Sequence, residues 1–350
     1  MSESKKTRVL FIKHLNSSFI RRDEMLLSEK FTIDTYLLRT IKGLGVIREL
    51  IKLLLFLLRN ISKHDVIYIW FADFHAVIPV ILGRLFHKKS IIVIGGVDAA
   101  YVPKYKYGTK TKLFGRLSVW LTTKYANLLL PVSQFTAEAL FKNVSTHLGS
   151  KSQIIYNCFE PDSLIAKTSP RAIDVITVCL ASREKTLYIK GVDFFIEVAR
   201  AIPQLNFTIV GLSGEAYEFC AKKAPSNLKI IGPVAHSKLQ NMLQNSSLIC
   251  QFSRHEAFGL ALLEGIAAGC FPIGYNFGGT KELLYESEAL TIDTLSVTEA
   301  KIQIVQAMNV ETSKITRIQQ QILPRFTCKI RQKGLEKAVE SQYLNLNKKS

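Results

Sequence analysis

Short runs of β-branched and other apolar residues recur along this chain, separated by longer stretches whose apolar positions follow helical spacing. Strands that alternate with helices predict parallel sheets, since a parallel pair needs a crossover between its strands. In the first half the pattern predicts strands at 8–13, 32–37, 66–71, 90–95, 128–132 and 153–156. The second half offers 173–180, 206–211, 228–231, 248–252, 271–275 and 289–292. Two sets of strands with intervening helices predict an α/β chain of two doubly wound domains, 1–165 and 166–324. The segment 160–171, rich in Pro, Ser and charge, reads as the linker, and 325–346 has a helical pattern. In open sheets of this kind ligands bind outside the carboxyl ends of the strands, so residues that follow strands are the ones to search.

Composition narrows the picture. A chain of 350 residues is long for one core and comfortable for two, and 48% hydrophobic content excludes wholesale disorder. No signal-peptide pattern is found, and no apolar run reaches the ~18–20 residues of a spanning helix. Six cysteines lack C-x-x-C spacing and sit in apolar contexts, which predicts buried thiols in a reducing cytoplasm. Neither a metal-ligand cluster nor a D-x-D pair is found in the sequence, so no bound metal or other cofactor is expected.

Charge adds a partner. The formal net charge is +18, and residues 1–165 hold 24 Lys and Arg against 12 Asp and Glu. Such an excess implies an anionic partner for the first half: phospholipid, nucleic acid or an acidic acceptor. The stretch 44–61 predicts a basic amphipathic helix on which Arg48, Lys52 and Arg59 share one stripe and nearly all other positions are apolar. That arc is wider than one sheet contact needs. With Lys104, Lys106, Lys110, Lys112 and Arg116 close in sequence, it favours docking on an anionic inner leaflet, hence a cytoplasmic protein peripheral to the membrane. No nucleic-acid-binding motif accompanies the charge, so nucleic acid is not the expected partner.

The most informative stretch is 254–282. Glu256 and Glu264 stand eight residues apart around a helix predicted to begin near Phe258, about 12 Å at 1.5 Å per residue. Backbone N–H groups at Phe258, Gly259 and Leu260 would make an anion site there, and a glycine lets the anion approach closely. The carboxylates are too far apart for a glycosidase pair, about 5–9.5 Å, and suit a long ligand with phosphates in its middle. Upstream, the strand at 173–180 leads into Arg183 and then Lys190-Gly191, a cationic clamp followed by a helix start. Gly211, at the end of the next predicted strand, is a candidate backbone turn against one end of that ligand, or an ordinary strand-ending glycine. Glu256-Ala-Phe-Gly, Glu264 and Gly278-Gly279-Thr280-Lys281-Glu282 resemble the donor-binding segment of family-4 retaining glycosyltransferases.

That resemblance implies a GT-B fold, two Rossmann-like domains facing across a cleft, and transfer of a sugar from a nucleotide-diphosphate donor, UDP- or GDP-linked. It further implies a final helix, 325–350, crossing back to the N-terminal domain, which would bind the acceptor, a glycan or lipid-linked molecule. Arg183 and Lys190 would hold the donor phosphates, Glu256 the sugar hydroxyls and Glu264 the ribose hydroxyls. The gap of seven between Arg183 and Lys190 is slightly longer than the family's. In the first domain, Ser17 is the candidate for presenting N–H groups to phosphate, although the family's glycine pair is missing from that turn. Asp98 occupies the region where many members carry a histidine, and is the candidate contact to sugar or acceptor. A two-domain sugar-nucleotide epimerase of the same fold and a non-catalytic basic nucleic-acid-binding or scaffold protein are the competing expectations.

Overall fold

In the computed structural model of this chain, residues 6–39, 43, 45–159 and 171–347 are described, with side chains to 344. The chain forms two compact units. The first comprises residues 1–158 and 328–350, and the second residues 159–327.

The first unit is a five-stranded, wholly parallel sheet. Its elements run β1 (Arg8–Lys13), α1 (Ser18–Ser28), β2 (Thr32–Leu37), α2 (Gly45–Asn60), β3 (Val66–Trp70), α3 (Phe74–Leu85), β4 (Lys89–Ile94), α4 (Leu113–Tyr125), β5 (Leu128–Pro131) and α5 (Gln134–Asn143). The strand order is β2-β1-β3-β4-β5, which reverses direction between β1 and β3. β1, β3 and β4 are buried almost throughout, as strands covered by helices on both faces should be. Leu10, Ile12, Ile67, Ile69, Ile92 and Ile94 form the centre of that core.

The second unit is a six-stranded parallel sheet. It runs β6 (Ile173–Ala181), α6 (Glu184–Ile189), α7 (Val192–Ala201), β7 (Phe207–Leu212), α8 (Gly214–Lys223), β8 (Leu228–Ile231), α9 (His236–Gln244), β9 (Ser246–Gln251), α10 (Leu260–Ala267), β10 (Phe271–Tyr275), α11 (Gly278–Leu284), β11 (Leu290–Ile292), α12 (Val297–Met308) and α13 (Thr312–Ile322). Its order, β11-β10-β9-β6-β7-β8, puts the topological switch between β6 and β9. The last helix, α14 (Cys328–Asn347), returns to the first unit and packs on α1, β3 and β4.

Three expectations shift. Residues 153–156 do not form a strand. They run beside β5, with Gln153 and Ile155 N–H donating to Leu129 and Pro131 carbonyls, but Pro131 has no N–H to return to the Gln153 carbonyl, so no ladder continues. The carbonyls of Ile155 and Tyr156 go instead to Arg331, at 2.9 and 2.7 Å. The helix expected from Phe258 starts at Leu260, because Phe258 is buried against Phe326 and Gly259 takes φ +101°. The basic amphipathic helix spans Gly45–Asn60, and residue 44, like the 160–170 part of the predicted linker, lies outside the described residues.

All six cysteines are buried thiols. Two of them, Cys158 and Cys328, stand where the chain leaves and re-enters the first unit, and their sulfurs are 3.1 Å apart.

Candidate functional site

The switch point between β6 and β9 is where the sequence concentrates its chemistry. β6 ends at Ala181, and the exposed Arg183 caps the start of α6. That six-residue helix fills the unusually long interval between Arg183 and Lys190. Lys190 closes α6, and Gly191 follows at φ +68°. A side chain at Gly191 would place its Cβ 2.0 Å from the carbonyl of Phe252, so only glycine lets α7 begin against the end of β9.

From the other side of the switch, β9 delivers the loop 252–259. Arg254 N–H donates to the Ile189 carbonyl at 2.8 Å, which docks this loop on the last turn of α6. The Arg254 guanidinium makes a two-pronged pair with Asp193, at 2.6 and 2.9 Å, and also donates to the Tyr188 carbonyl. The consequence is a fixed meeting of opposite charges. Lys190 Nζ lies 2.8 Å from Glu256 Oε2.

Glu256 is buried, and its Oε2 also accepts from Gln251 Nε2 at 2.8 Å and Ser253 Oγ at 3.3 Å. Burial pushes its carboxyl up, yet the Lys190 charge and hydrogen bond, with help from Ser253, pull harder, and the net pKa falls below its ordinary value. Glu256 is therefore ionised at neutral pH. Burial holds neighbouring His255 down to about 4, so its imidazole is neutral.

The loop then turns into α10. Gly259 at φ +101° is its cap, and a Cβ there would come within 2.9 Å of Gln251 Oε1. Gly279, in the first turn of α11, approaches even closer: its Cβ would sit 2.5 Å from the Ala257 carbonyl, and its N–H donates to the Glu256 carbonyl at 2.8 Å. Leu260 opens α10, and Glu264 lies half-buried one turn further on. Two buried side-chain atoms of this site, Gln251 Oε1 and Thr280 Oγ1, have no hydrogen-bond partner among the described residues. A helix start, an engaged Lys–Glu pair and unsatisfied polar atoms together give a site able to receive a polar, anionic ligand.

Lys190 and Glu256 are thus brought into direct contact, and Phe258, Gly259 and Leu260 form the helix entrance beside them. Gly211 lies inside β7 at φ +106°, opposite the irregularity in β6, where a Cβ would meet the Cys179 carbonyl at 2.8 Å. Its glycine is explained by the strand alone. Gln251, Ser253 and the Arg254–Asp193 buttress were not legible as site residues, because only the docking of the two loops makes them one group.

Asp98 and Ser17 belong to the first unit. Asp98 has no exposed surface, and its two oxygens accept from the N–H groups of Ala72, Gly95, Gly96 and Ala99. It ties the loop after β3 to the loop after β4, and burial raises its carboxyl to about 6. In this arrangement its oxygens are engaged by backbone donors and shape the two loops. Ser17 is the N-cap position of α1, but its buried Oγ makes no capping bond.

Comparison with known proteins gives the class. The chain has the GT-B fold, two parallel-sheet units as in sucrose-phosphate synthase from Thermosynechococcus elongatus (TM-score 0.78, 12% identity, 97% of this chain and 100% of that one). Anabaena Alr3699/HepE, solved in complex with UDP and glucose, is similar too (TM-score 0.74, 16% identity, 96% and 100%). Residues 176–320, nearly all of the second unit, match the family described as Glycosyl transferases group 1. Among curated proteins, a phosphatidylinositol N-acetylglucosaminyltransferase component of Arabidopsis thaliana is 28% identical over 167 residues, 44% of this chain and 36% of that protein. The gpi3 component of the enzyme of the same name in Schizosaccharomyces pombe is 26% identical over 137 residues, 35% and 30%. The chain matches about a third of the length of these relatives.

Proposed function

We propose that this chain is a family-4 retaining glycosyltransferase that moves a hexose-type sugar from a nucleotide diphosphate to a lipid-linked or cell-surface glycan. The observation that carries the reading is the Lys190–Glu256 pair, 2.8 Å apart at the switch point beside the entrance to α10. A UDP-linked donor is favoured by the similar Anabaena protein, which was solved with UDP and glucose. A lipid-borne acceptor accords with the relatives named as components of phosphatidylinositol N-acetylglucosaminyltransferases.

In this reading the donor diphosphate draws Lys190 off Glu256 and rests on the N–H groups at the start of α10, with Arg183 as a second cation. Glu256 is then available to sugar hydroxyls, and Glu264 to the ribose. The anomeric C–O bond to the diphosphate breaks while the acceptor oxygen bonds to the same face. The acceptor proton passes to the departing phosphate oxygen, and the fixed cations stabilise the charge that develops. No metal is assigned a role. The acceptor is reached at the inner face of a membrane, where α2 rests its apolar stripe and the basic side chains Arg48, Lys52 and Arg59. Among the described residues no helix is long and apolar enough to cross a membrane.

A panel of UDP- and GDP-sugars, screened by thermal unfolding, tests the donor half. One of them should stabilise the chain by about 2.7 kcal/mol at a hundredfold excess over its dissociation constant. Silence across the panel would end the reading. Loss of donor with no acceptor present would instead mark an epimerase.

A further inference from the structure

α4 is built inside out. Its packed face is Gly115, Ser118, Val119, Thr122 and Thr123, all small or polar. Ser118, Thr122 and Thr123 satisfy their hydroxyls on carbonyls of their own helix, so the buried face of α4, which packs against α3, needs no polar partners there. Gly115 is held so close to the preceding turn that a Cβ would lie 2.0 Å from the Thr109 carbonyl. The opposite face carries the large apolar residues: Leu113 is 79% exposed, Phe114 86%, Leu117 52% and Trp120 44%. A soluble helix normally turns such residues inward. Their solvent exposure indicates that water is not what they meet in use.

The charges around them identify the occupant. From residue 99 to 137 the chain holds six Lys and Arg and not one Asp or Glu. Lys104, Lys106, Lys112, Arg116 and Lys124 are exposed, and Lys124 Nζ sits 4.5 Å from the Trp120 ring centre. α3 packs between α2 and α4, and each adds exposed apolar side chains of its own, Ile81 and Leu85 on α3 and Ile47 and Ile51 on α2. A protein partner is the poorer match, because Lys is depleted from the centres of protein interfaces and a collar without acids gives no salt-bridge partners. Apolar tips ringed by flexible lysines, with a tryptophan at the boundary, match the headgroup zone of an anionic bilayer.

We propose that α4, with the basic segment before it, inserts Leu113, Phe114, Leu117 and Trp120 into the interface of an anionic phospholipid membrane, with α2 lying alongside. The surface deepens the membrane part of the proposed function and rests on it. Insertion buries the apolar tips at the acyl boundary while the lysines meet phosphate groups of the charged leaflet.

The protein supplies its own reporter. It has two tryptophans, of which Trp70 is fully buried and Trp120 is on the proposed surface. Full-length protein is mixed with vesicles of equal parts phosphatidylcholine and phosphatidylglycerol, and with phosphatidylcholine alone. The expected result is a blue shift of tryptophan emission and quenching by brominated acyl chains, with the anionic vesicles and weakened by salt. Phe114→Ser with Leu117→Ser should lower vesicle partitioning at least ~10-fold, since each exchanged side chain forfeits apolar burial. Neither side chain is in the core, so unfolding temperature and the UDP-sugar shift should be unchanged in that variant. Vesicle binding without quenching would overturn the proposal, because another face would then be docked. So would a stable dimer that covers Trp120 in solution. UDP-sugar binding is read separately, so its absence would remove the transferase reading while leaving the insertion result to stand or fall alone.

Discussion

At the residue scale the site rests on one ion pair between a buried carboxylate and a half-buried ammonium. Lys190 Nζ keeps Glu256 ionised in a place where burial alone would raise its pKa. Lys190→Ala should therefore do two separable things. It should destabilise the chain by about 1–3 kcal/mol, the usual cost of leaving a buried acceptor without its donor. It should also lower turnover at least ~100-fold if Lys190 meets the charge that develops on the leaving diphosphate. Adding Glu256→Gln removes the stranded charge, so the double variant should regain most of the stability and none of the turnover. Urea unfolding and donor consumption, measured on the single and double variants beside the parent protein, decide this; recovery of both together would make the pair purely structural. Both residues were legible in the sequence because each follows a strand in a motif with its own spacing. Gln251 and Ser253 were not, because an amide and a hydroxyl acquire a role here only through the fold that turns them onto Glu256 Oε2. Asp98 was legible as a strand-end acid but not as a bracket for two loops, since its four partners are backbone groups that carry no residue signature.

At the element scale, eleven of the twelve predicted strands form, each legible from the pattern alone. Strands buried on both faces read as unbroken apolar runs, and here they are short and bounded by polar loops. A twelfth predicted run, 153–156, is similarly apolar but faces Pro131, which has no N–H to give its ladder, and its last carbonyls go to Arg331, a residue 175 positions away from Tyr156. Which residue faces the run, and which distant side chain takes its carbonyls, leaves no trace within 153–156 itself. The same limit applies to the packing of α11 against the loop before α10. Gly279→Ala would force its Cβ to 2.5 Å from the Ala257 carbonyl and 2.6 Å from the Phe258 nitrogen, both backbone atoms that cannot swing aside. A loss of about 1–3 kcal/mol is expected, the ordinary cost of overpacking, together with a weaker UDP-sugar shift. Gly149→Ala meets only the Phe141 ring at 3.8 Å and should be near neutral. Thermal unfolding of the two variants side by side checks the contrast, and equal stabilities would disprove it.

At the scale of the whole molecule, the first unit is closed by a residue from the far end of the sequence. Arg331 on α14 meets Asp23 on α1 at 2.5 and 2.7 Å, and both are buried. Tyr68 Oη and Trp70 Nε1 donate to the same carboxylate. Arg331→Met would leave Asp23 without its counter-charge in the core, and should cost about 3–5 kcal/mol in urea unfolding. A change below 1 kcal/mol, the scale of an exposed pair, would show that α14 is held by its apolar contacts alone. This helix was visible in the sequence as a helical pattern, and the GT-B resemblance implied its return to the first unit; its arginine gave no sign of being the partner of an aspartate 308 positions earlier.

That connection sets an order of assembly during translation. The first unit emerges from the ribosome first, but Arg331 is made about 170 residues after the segment it must close, and the second unit is finished in between. At 5–20 residues per second the nascent first unit waits on the order of 10–40 s for its counter-charge. A ribosome that stops just short of Arg331 would release a chain whose later half is whole and whose earlier half is not.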